Sequence, residues 1–225
     1  MNQKYVCVIP AREKSKRIKN KNIKKFNNKP IISYSIELAK KCSFIKNVYI
    51  STDSQKIKDL SKKYGAEVTT LRLKKLSDSQ ASLKVVVNDE VKKYLNKYDY
   101  LVLLFATSPL LKKSSLINAK KKIEKMNADI LISTTNFSSN PLRAFKINKN
   151  DHIEYKWPKF INKRSQDLES LIHESGNFVI YKLSTYYKKK KKITHYHLNK
   201  EEGIDIDTLE DFKFAEFVYK LQNKC

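Results

Sequence analysis

Two stretches of this 225-residue chain carry side chains with chemistry to offer. The first is Val8-Ile9-Pro10-Ala11-Arg12-Glu13-Lys14-Ser15-Lys16-Arg17, continuing through Lys19, Asn20, Lys21 and Asn22. It gathers fixed positive charge with hydroxyl and amide donors, which is how a phosphate chain is held when side chains replace a glycine-rich backbone. The whole sequence has three glycines, Gly65, Gly176 and Gly203, so neither a Walker loop nor a GxGxxG fingerprint is present. Glu13 sets an acid inside this cationic loop and has to point away for phosphate to settle there. The second stretch is Gly203-Ile204-Asp205-Ile206-Asp207, whose strand-period alternation puts Asp205 and Asp207 on one face. Two such carboxylates supply the few hard oxygen ligands that Mg²⁺ takes, leaving positions for phosphate and water. Each stretch also has a plainer reading: a solvated connection for the loop, a helix N-cap for Asp207 and a surface site for Asp205. Together, Arg12, Ser15, Lys16 and Lys21 with the acid pair outline an enzyme that holds a nucleotide triphosphate and offsets its charge.

The elements that must position these groups alternate. A hydrophobic strand over residues 4–9 feeds the basic loop, and Pro30 opens a helix over 30–42. A strand over 47–51 follows, then a helix over 55–64 with an N-cap in Thr52-Asp53-Ser54 and Gly65 at C′. The pattern predicts a third strand over 67–71, Arg72 after it, and an amphipathic helix over 81–95. Residues 100–105 lack polar alternation and read as a strand covered on both faces, ending in the loop Ala106-Thr107-Ser108-Pro109. Ser114 or Ser115 caps the next helix, which reaches about residue 127, and another buried strand occupies 129–134. This order implies an α/β chain, a Rossmann-like three-layer, doubly wound, mostly parallel sheet. Residues 136–175 break the pattern with a hairpin about Lys149-Asn150-Asp151 and an irregular Trp157-Pro158 segment, an excursion from the sheet. A strand over 176–181 returns, and Thr208-Leu209-Glu210-Asp211 starts a terminal helix with capping-box spacing. Residues 1–225 read as one domain with that embellishment.

A hydrophobic share of 40% argues for a folded chain, and a formal charge of +24 favours anionic partners. The lysines are spread along the sequence, so the charge selects a class of partner rather than one member. The run Lys188 to Lys192 reads as an exposed loop. Cys7, Cys42 and Cys225 are odd in number and form no CxxC, as expected of thiols in a reducing compartment. No apolar run approaches the roughly 18 residues of a membrane span, and residues 1–4 enter a strand directly, so a cytoplasmic protein is expected. His195 and His197 show no tight ligand pattern. His173 lies near Arg164, Gln166, Asp167 and Glu174, a polar cluster that suits a substrate pocket or a solvated loop.

Val-Ile-Pro-Ala-Arg12 with Ser15-Lys16-Arg17-Ile and Lys21-Asn22-Ile resembles the N-terminal nucleotide motif of the cytidylyltransferases that activate eight- and nine-carbon acidic sugars. Ser51-Thr-Asp53, Lys63-Tyr-Gly-Ala-Glu67, Leu71-Arg72, Leu76-Ser-Asp78, Thr107-Ser-Pro109 and Ile204-Asp-Ile-Asp207-Thr follow in that family's order across essentially the whole chain. Within the family, Arg164-Ser-Gln-Asp-Leu168 and His173-Glu-Ser-Gly-Asn-Phe178 are most similar to the pseudaminic acid branch, with the sialic and legionaminic acid enzymes as the alternative. The resemblance implies attack of the sugar's anomeric hydroxyl on the α-phosphorus of CTP, giving a CMP-sugar and pyrophosphate. It implies that Arg12, Ser15, Lys16, Lys21, Asn22 and Arg72 bind the nucleotide and that Asp205 and Asp207 hold Mg²⁺. It makes Lys21, Asp205 and Asp207 the catalytic set and Thr107, Arg164, Gln166 and His173 the sugar-facing set. It also implies a homodimer, with the excursion reaching a second subunit. A different class, a basic nucleic-acid-binding protein that has lost catalysis, would show steeply salt-dependent binding, but no recognition helix or aromatic-bearing sheet motif supports it.

Overall fold

The structure is a computed structural model, and it describes residues 3–15, 17–68, 71–73 and 82–223. Its centre is a six-stranded sheet of β1 (Tyr5–Pro10), β4 (Ile45–Ser51), β5 (Tyr100–Leu104), β6 (Ile130–Asn136), β9 (Ile172–Lys182) and β10 (Ile193–His197), in the order β10-β6-β9-β5-β1-β4. β1 pairs in parallel with β4 and β5, and β6 with β10, while β9 runs antiparallel between β5 and β6. The expected mostly parallel sheet is therefore present, with β9 reversed because the chain re-enters it directly from the excursion.

The strands are fully buried where helices cover both faces. One face packs Cys7, Ile9, Val102, Leu104 and Ile180 against Ile32, Ile36 and Ala39 of α1 (Ile31–Lys41), Ile57 of α2 (Gln55–Lys63) and Leu116, Ala119 and Ile123 of α4 (Lys113–Lys125). The other packs Val6, Val8, Leu101 and Leu103 against Val87, Val91 and Tyr94 of α3 (Leu83–Tyr94). Each such side chain contributes about 1.5–3 kcal/mol by leaving water, and the result is three layers. β1 lies between β4 and β5, so the chain reverses its winding there, and the loops after β1 and β5 open at that switch point.

Several local signals hold. Pro30 precedes α1, and α2 ends in a Schellman arrangement, with Gly65 at φ +83° donating to Lys62 O and Ala66 donating to Ser61 O. Thr208 and Asp211 form the capping box of α5 (Leu209–Gln222). The hairpin of the excursion is β7 (Phe145–Ile147) with β8 (Ile153–Tyr155), and Asp151 takes a positive φ in its turn. Because Asn136 of β6 pairs with Ile172 of β9, the excursion proper is 137–171, slightly shorter than 136–175. A small ladder of β2 (Lys25–Phe26) with β3 (Lys29–Pro30) turns through Asn27 and Asn28, both at positive φ, before α1.

Three expectations change. The strand predicted over 67–71 is a single bridge from Glu67 to Tyr49; residues 69 and 70 lie outside the described residues, as does Leu76-Ser-Asp78. Gly203 stands in a turn and residues 204–207 form no strand, because β10 already occupies the sheet edge and the chain turns away after it. Their alternation instead buries Ile206 completely. Neither Ser114 nor Ser115 caps α4: Lys112 stands at the N-cap, and its N–H together with the Ser115 hydroxyl donates to the buried Glu202 carboxylate at 3.0 and 2.6 Å.

Candidate functional site

The basic loop leaves β1 at the switch point, anchored where Ala11 N–H donates to Ser51 O of β4 at 2.9 Å. Its next turn is tied to the loop after β4. Glu13 N–H donates to Asp53 Oδ1 at 2.9 Å, and Glu13 Oε1 accepts from Ser54 Oγ at 3.2 Å. The acid that stood in the path of phosphate is thereby turned toward α2. Asp53 serves this loop rather than capping α2, whose N-cap Ser54 makes no side-chain cap bond. Asn22, buried, donates through Nδ2 to Arg12 O at 2.9 Å and fixes the far limb of the loop. Arg12, Glu13, Asn20 and Asn22 border a cavity of about 120 Å³ with Ile23 and Ile57.

Arg72 joins this cluster from the segment after α2. Its N–H donates to Thr52 O at 2.7 Å, and its buried guanidinium lies within electrostatic reach of Asp53, Glu90 and Arg12. Burial holds its pKa below the ordinary arginine value, with Asp53 and Glu90 opposing. Arg12 and Arg72, 60 positions apart in sequence, thus meet on one side of the loop. Lys16 lies outside the described residues.

On the other side the loop meets the acid pair. Ile18 and Ile206 are both buried in one apolar cluster with Phe26, Ile31, Leu110 and Phe212, which pins the basic loop to the acidic segment. With Ile206 turned inward, Asp205 and Asp207 face outward, as the alternation required. Lys21 Nζ donates to Ile206 O at 2.7 Å and to Asp207 Oδ1 at 3.2 Å, while Arg17 Nη1 pairs with Asp207 Oδ2 at 2.8 Å. Asp207 is not the helix cap; Thr208 holds that place, leaving the Asp207 carboxylate to the cations. Asp205 lies against Gly176, where an added Cβ would come within 3.0 Å of the Asp205 carboxyl carbon. Desolvation in this cleft and then the neighbouring Asp207 raise the Asp205 pKa, against the pull of Lys21 and Arg17. Gly176 sits at φ +68°, so its backbone and its lack of a side chain both serve this contact.

The donor set suits a hard cation that keeps water and phosphate as further ligands. Two carboxylates are adjacent, and no group of three or more His, Cys, Asp or Glu suited to a metal occurs among the described residues.

Gly176 also opens onto a second cavity of about 600 Å³ between α3 and β9, walled by Val87, Phe105, Ile132 and Val179. Of the sugar-facing residues, Thr107 is buried in the loop after β5, beside Ser108, whose hydroxyl donates to Asn177 O at 3.3 Å. Arg164 and Gln166 are exposed on the excursion, where Asp167 grips Arg164 through Nε at 2.8 Å and Nη2 at 3.2 Å. His173 Nδ1 is 2.8 Å from Glu174 O and its ring packs on Phe137 at 4.6 Å. The fold therefore gathers Arg12, Asn22 and Arg72 on one side of the basic loop and Lys21, Asp205 and Asp207 on the other, while Thr107, Arg164, Gln166 and His173 are not among the residues lining the larger cavity, and neither are those six. Ser15, half-buried, lies on the loop itself.

Sequence reasoning passed over three contributors. Arg17 had the signal of its place in the basic motif. Glu202 had none, because its partners lie about 90 residues earlier. Asn177, buried on β9, is legible only once the strand's neighbours are known.

Residues 6–224 match the family model for cytidylyltransferases. A pseudaminic acid cytidylyltransferase of Campylobacter jejuni is 36% identical over 98% of both chains. An N-acylneuraminate cytidylyltransferase of Streptococcus agalactiae is 28% identical over 93% of this chain and 52% of that protein. Among solved structures, a CMP:2-keto-3-deoxy-manno-octonic acid synthetase complexed with CTP superposes with a TM-score of 0.72 at 15% identity, covering 97% of this chain and 99% of that one. That likeness bears on the fold.

Proposed function

This chain belongs to the cytidylyltransferase family, and on that premise we propose that it transfers CMP from CTP to the anomeric hydroxyl of a nine-carbon acidic sugar, pseudaminic acid first. The near-full-length similarity to the Campylobacter jejuni enzyme supports that sugar; the Streptococcus agalactiae relative supports a sialic or legionaminic acid as the second reading. The observation that carries the reaction is the junction of the basic loop with the acid pair: Lys21 reaches Ile206 O and Asp207, and Arg17 reaches Asp207, across more than 180 residues of sequence.

In this reading Arg12, Ser15, Lys16 and Lys21 hold the triphosphate, and Asn22 keeps the loop around it in shape. Arg72, placed beside Arg12, adds positive charge that burial makes more effective. The sugar's anomeric hydroxyl gives up its proton to water as its oxygen forms a bond to the α-phosphorus, while the bond from that phosphorus to the bridging oxygen of pyrophosphate breaks and pyrophosphate leaves with that electron pair. Charge grows on the leaving group, and cations fixed in advance at that point lower the barrier without having to reorganise. Asp205 and Asp207 would hold Mg²⁺, which offsets negative charge on the phosphates when bound. Lys21 and Arg17, now on Asp207, are the cations that an arriving triphosphate would share. Arg164, Gln166 and His173, away from the cavity in one chain, fit a homodimer in which the excursion serves a partner's sugar site. Among the described residues no helix is long and apolar enough to cross a membrane, in keeping with a cytoplasmic enzyme using cytoplasmic CTP.

The test is pyrophosphate release from purified protein with CTP, Mg²⁺ and a panel of pseudaminic, sialic and legionaminic acids. Release with one of them is expected, fastest with pseudaminic acid, and silence with all would overturn the reading. Asp207→Ala should abolish turnover while leaving the melting temperature close to that of the parent, because a half-exposed carboxylate is lost rather than core; full activity in that variant would strip Asp207 of its role.

A further inference from the structure

α3 carries a buried carboxylate that its own helix does not explain. Glu90 is 3% exposed. Lys93 Nζ lies 3.0 Å from Glu90 Oε1, but the same ammonium sits closer to Asp89, at 2.7 Å, and Lys93 is exposed. A lysine and a glutamate three positions apart pair equally well on a helix surface, so Lys93 gives no reason to take Glu90 out of water, where a carboxylate is costly to bury. The reason lies in what this side of α3 faces. Tyr94, one turn after Glu90 and on the same side, stacks on Tyr49 of β4 with ring centroids 5.0 Å apart. α3 leads into β5, which is parallel to β1, as β4 is, and a crossover helix runs against the strands it joins. One turn back from Tyr94 is therefore one turn toward the carboxyl end of β4, where Thr52 O accepts the Arg72 N–H.

Arg72, 8% exposed, needs negative charge on that side. Burial weighs most against its charged form; Asp53 and then Glu90 favour that form, and Arg12 opposes it. Asp53 approaches from the basic loop, where its Oδ1 already accepts the Glu13 N–H at 2.9 Å. Glu90 approaches from α3 and is the more buried of the two acids, so water screens its field less. Two guanidiniums gathered on one side of a loop repel each other. An acid fixed in the core beside one of them keeps it from swinging away.

We propose that Glu90 is a positioning residue, whose carboxylate, carried by α3, fixes the Arg72 guanidinium beside Arg12 so that both stand ready for the nucleotide. Glu90 touches neither substrate and acts through Arg72. This rests on the reading of Arg72 as a nucleotide-binding residue given above. The gain is preorganisation: an arginine already ordered by the protein leaves less for the ligand to order on binding.

The experiment titrates CTP with Mg²⁺ into the full chain by calorimetry, for wild type, Glu90→Gln, Arg72→Ala, the double variant and Lys93→Ala, with thermal melts to establish that each is folded at the temperature of titration. Glu90→Gln keeps the shape and removes the charge; it should raise the Kd for CTP roughly tenfold. Arg72→Ala should raise it at least as far. Adding Glu90→Gln to Arg72→Ala should raise it no further, because Glu90 acts through that side chain. A Kd unchanged by Glu90→Gln, or effects that add in the double variant, overturns the proposal. Lys93→Ala releases Glu90 from its exposed partner and should leave the Kd no higher than in the wild type, a result that stands even where Glu90→Gln does not fold. A Kd raised by Lys93→Ala would assign Glu90 to Lys93 and overturn the proposal as well. No CTP binding by the wild type would instead fell the nucleotide reading and this proposal with it.

Discussion

Replacing Glu202 tests whether the acid pair is held in place from a distance. The carboxylate accepts from Lys112 N–H at 3.0 Å and from Ser115 Oγ at 2.6 Å, and the residue is buried. It therefore does for α4 what the expected serine cap does not, and it places a negative charge at a helix N-terminus, where the helix dipole favours it. A hydrogen bond to a charged group is worth about 1.5–3 kcal/mol. Losing both to Glu202→Ala, with water recovering part of the loss, should cost roughly 3 kcal/mol. For a chain of this size each kcal/mol moves Tm by about 2–4 °C, so a fall of roughly 6–12 °C is expected in a thermal melt. Both donors meet the same oxygen, Oε2, so Glu202→Gln can keep both bonds without their charge and should lose about half as much. In a double-mutant cycle Ser115→Ala should be nearly silent in the Glu202→Ala background, because the partner is already gone. The Glu202 side chain also ties the turn that leads into Asp205 to α4, whereas its N–H, on Asn199 Oδ1 at 2.8 Å, is a bond the variant keeps. Turnover of Glu202→Ala, measured well below its melting temperature, should therefore drop as well. A Glu202→Ala protein that melts within about 2 °C of the parent would refute the reasoning, since a buried charge with two donors cannot be removed so cheaply.

Asp205→Asn should raise thermal stability at neutral pH while removing activity. The raised pKa of Asp205 means that the folded state holds the proton more tightly than the unfolded state, so the ionised carboxylate subtracts stability above the folded value. As the pH falls through that value the penalty disappears, and the advantage of the Asn variant should shrink with it; melts at neutral and acid pH that show an equal offset would contradict this. Ile206→Val should cost about 0.5–1.5 kcal/mol and Ile206→Ala about 2–5 kcal/mol, because this side chain is wholly buried. If Ile206 pins the two loops, turnover should fall in step with that series; denaturant unfolding alongside pyrophosphate release checks both, and intact turnover in Ile206→Ala would separate packing from catalysis.

What the sequence disclosed follows from how local each cause is. The β5 run Tyr100–Leu104 is apolar at every position, so its burial on both faces needed no tertiary knowledge. Gly65 and the pair Thr208 and Asp211 mark helix ends through backbone chemistry within a few residues, and they stand where the pattern put them. The segment Gly203 to Asp207 gave the right facing and the wrong element. Alternation reports which side chains are buried, and Ile206 is buried against Ile18 and Phe212 rather than within a sheet. Glu202 was silent because its role depends on atoms brought from α4, which no spacing in the chain encodes. Arg164 stands on the excursion, in a local pair with Asp167.

The basic loop shows how a phosphate-facing turn is made where glycine is missing. A glycine-rich loop holds its shape through unusual backbone angles and keeps its N–H groups free. Here the shape comes from side chains: Asp53 takes the N–H of Glu13, Ser54 takes its carboxylate, and Asn22 ties down the Arg12 carbonyl. An acid in the loop thereby becomes a strut, and its negative charge is spent on a hydroxyl away from Lys21 and Arg17. The cationic side chains are left as the groups that meet an anion, as fixed positive charge rather than backbone dipole. Such a site holds its ligand through ion pairs near the surface, which salt screens over roughly 8–10 Å at ordinary ionic strength. The KM for CTP should therefore climb with added salt more steeply than the KM for the sugar, which brings one carboxylate against the several charges of the triphosphate. Parallel salt titrations of both constants decide it: if the two rise together, side-chain charge is not what holds the triphosphate.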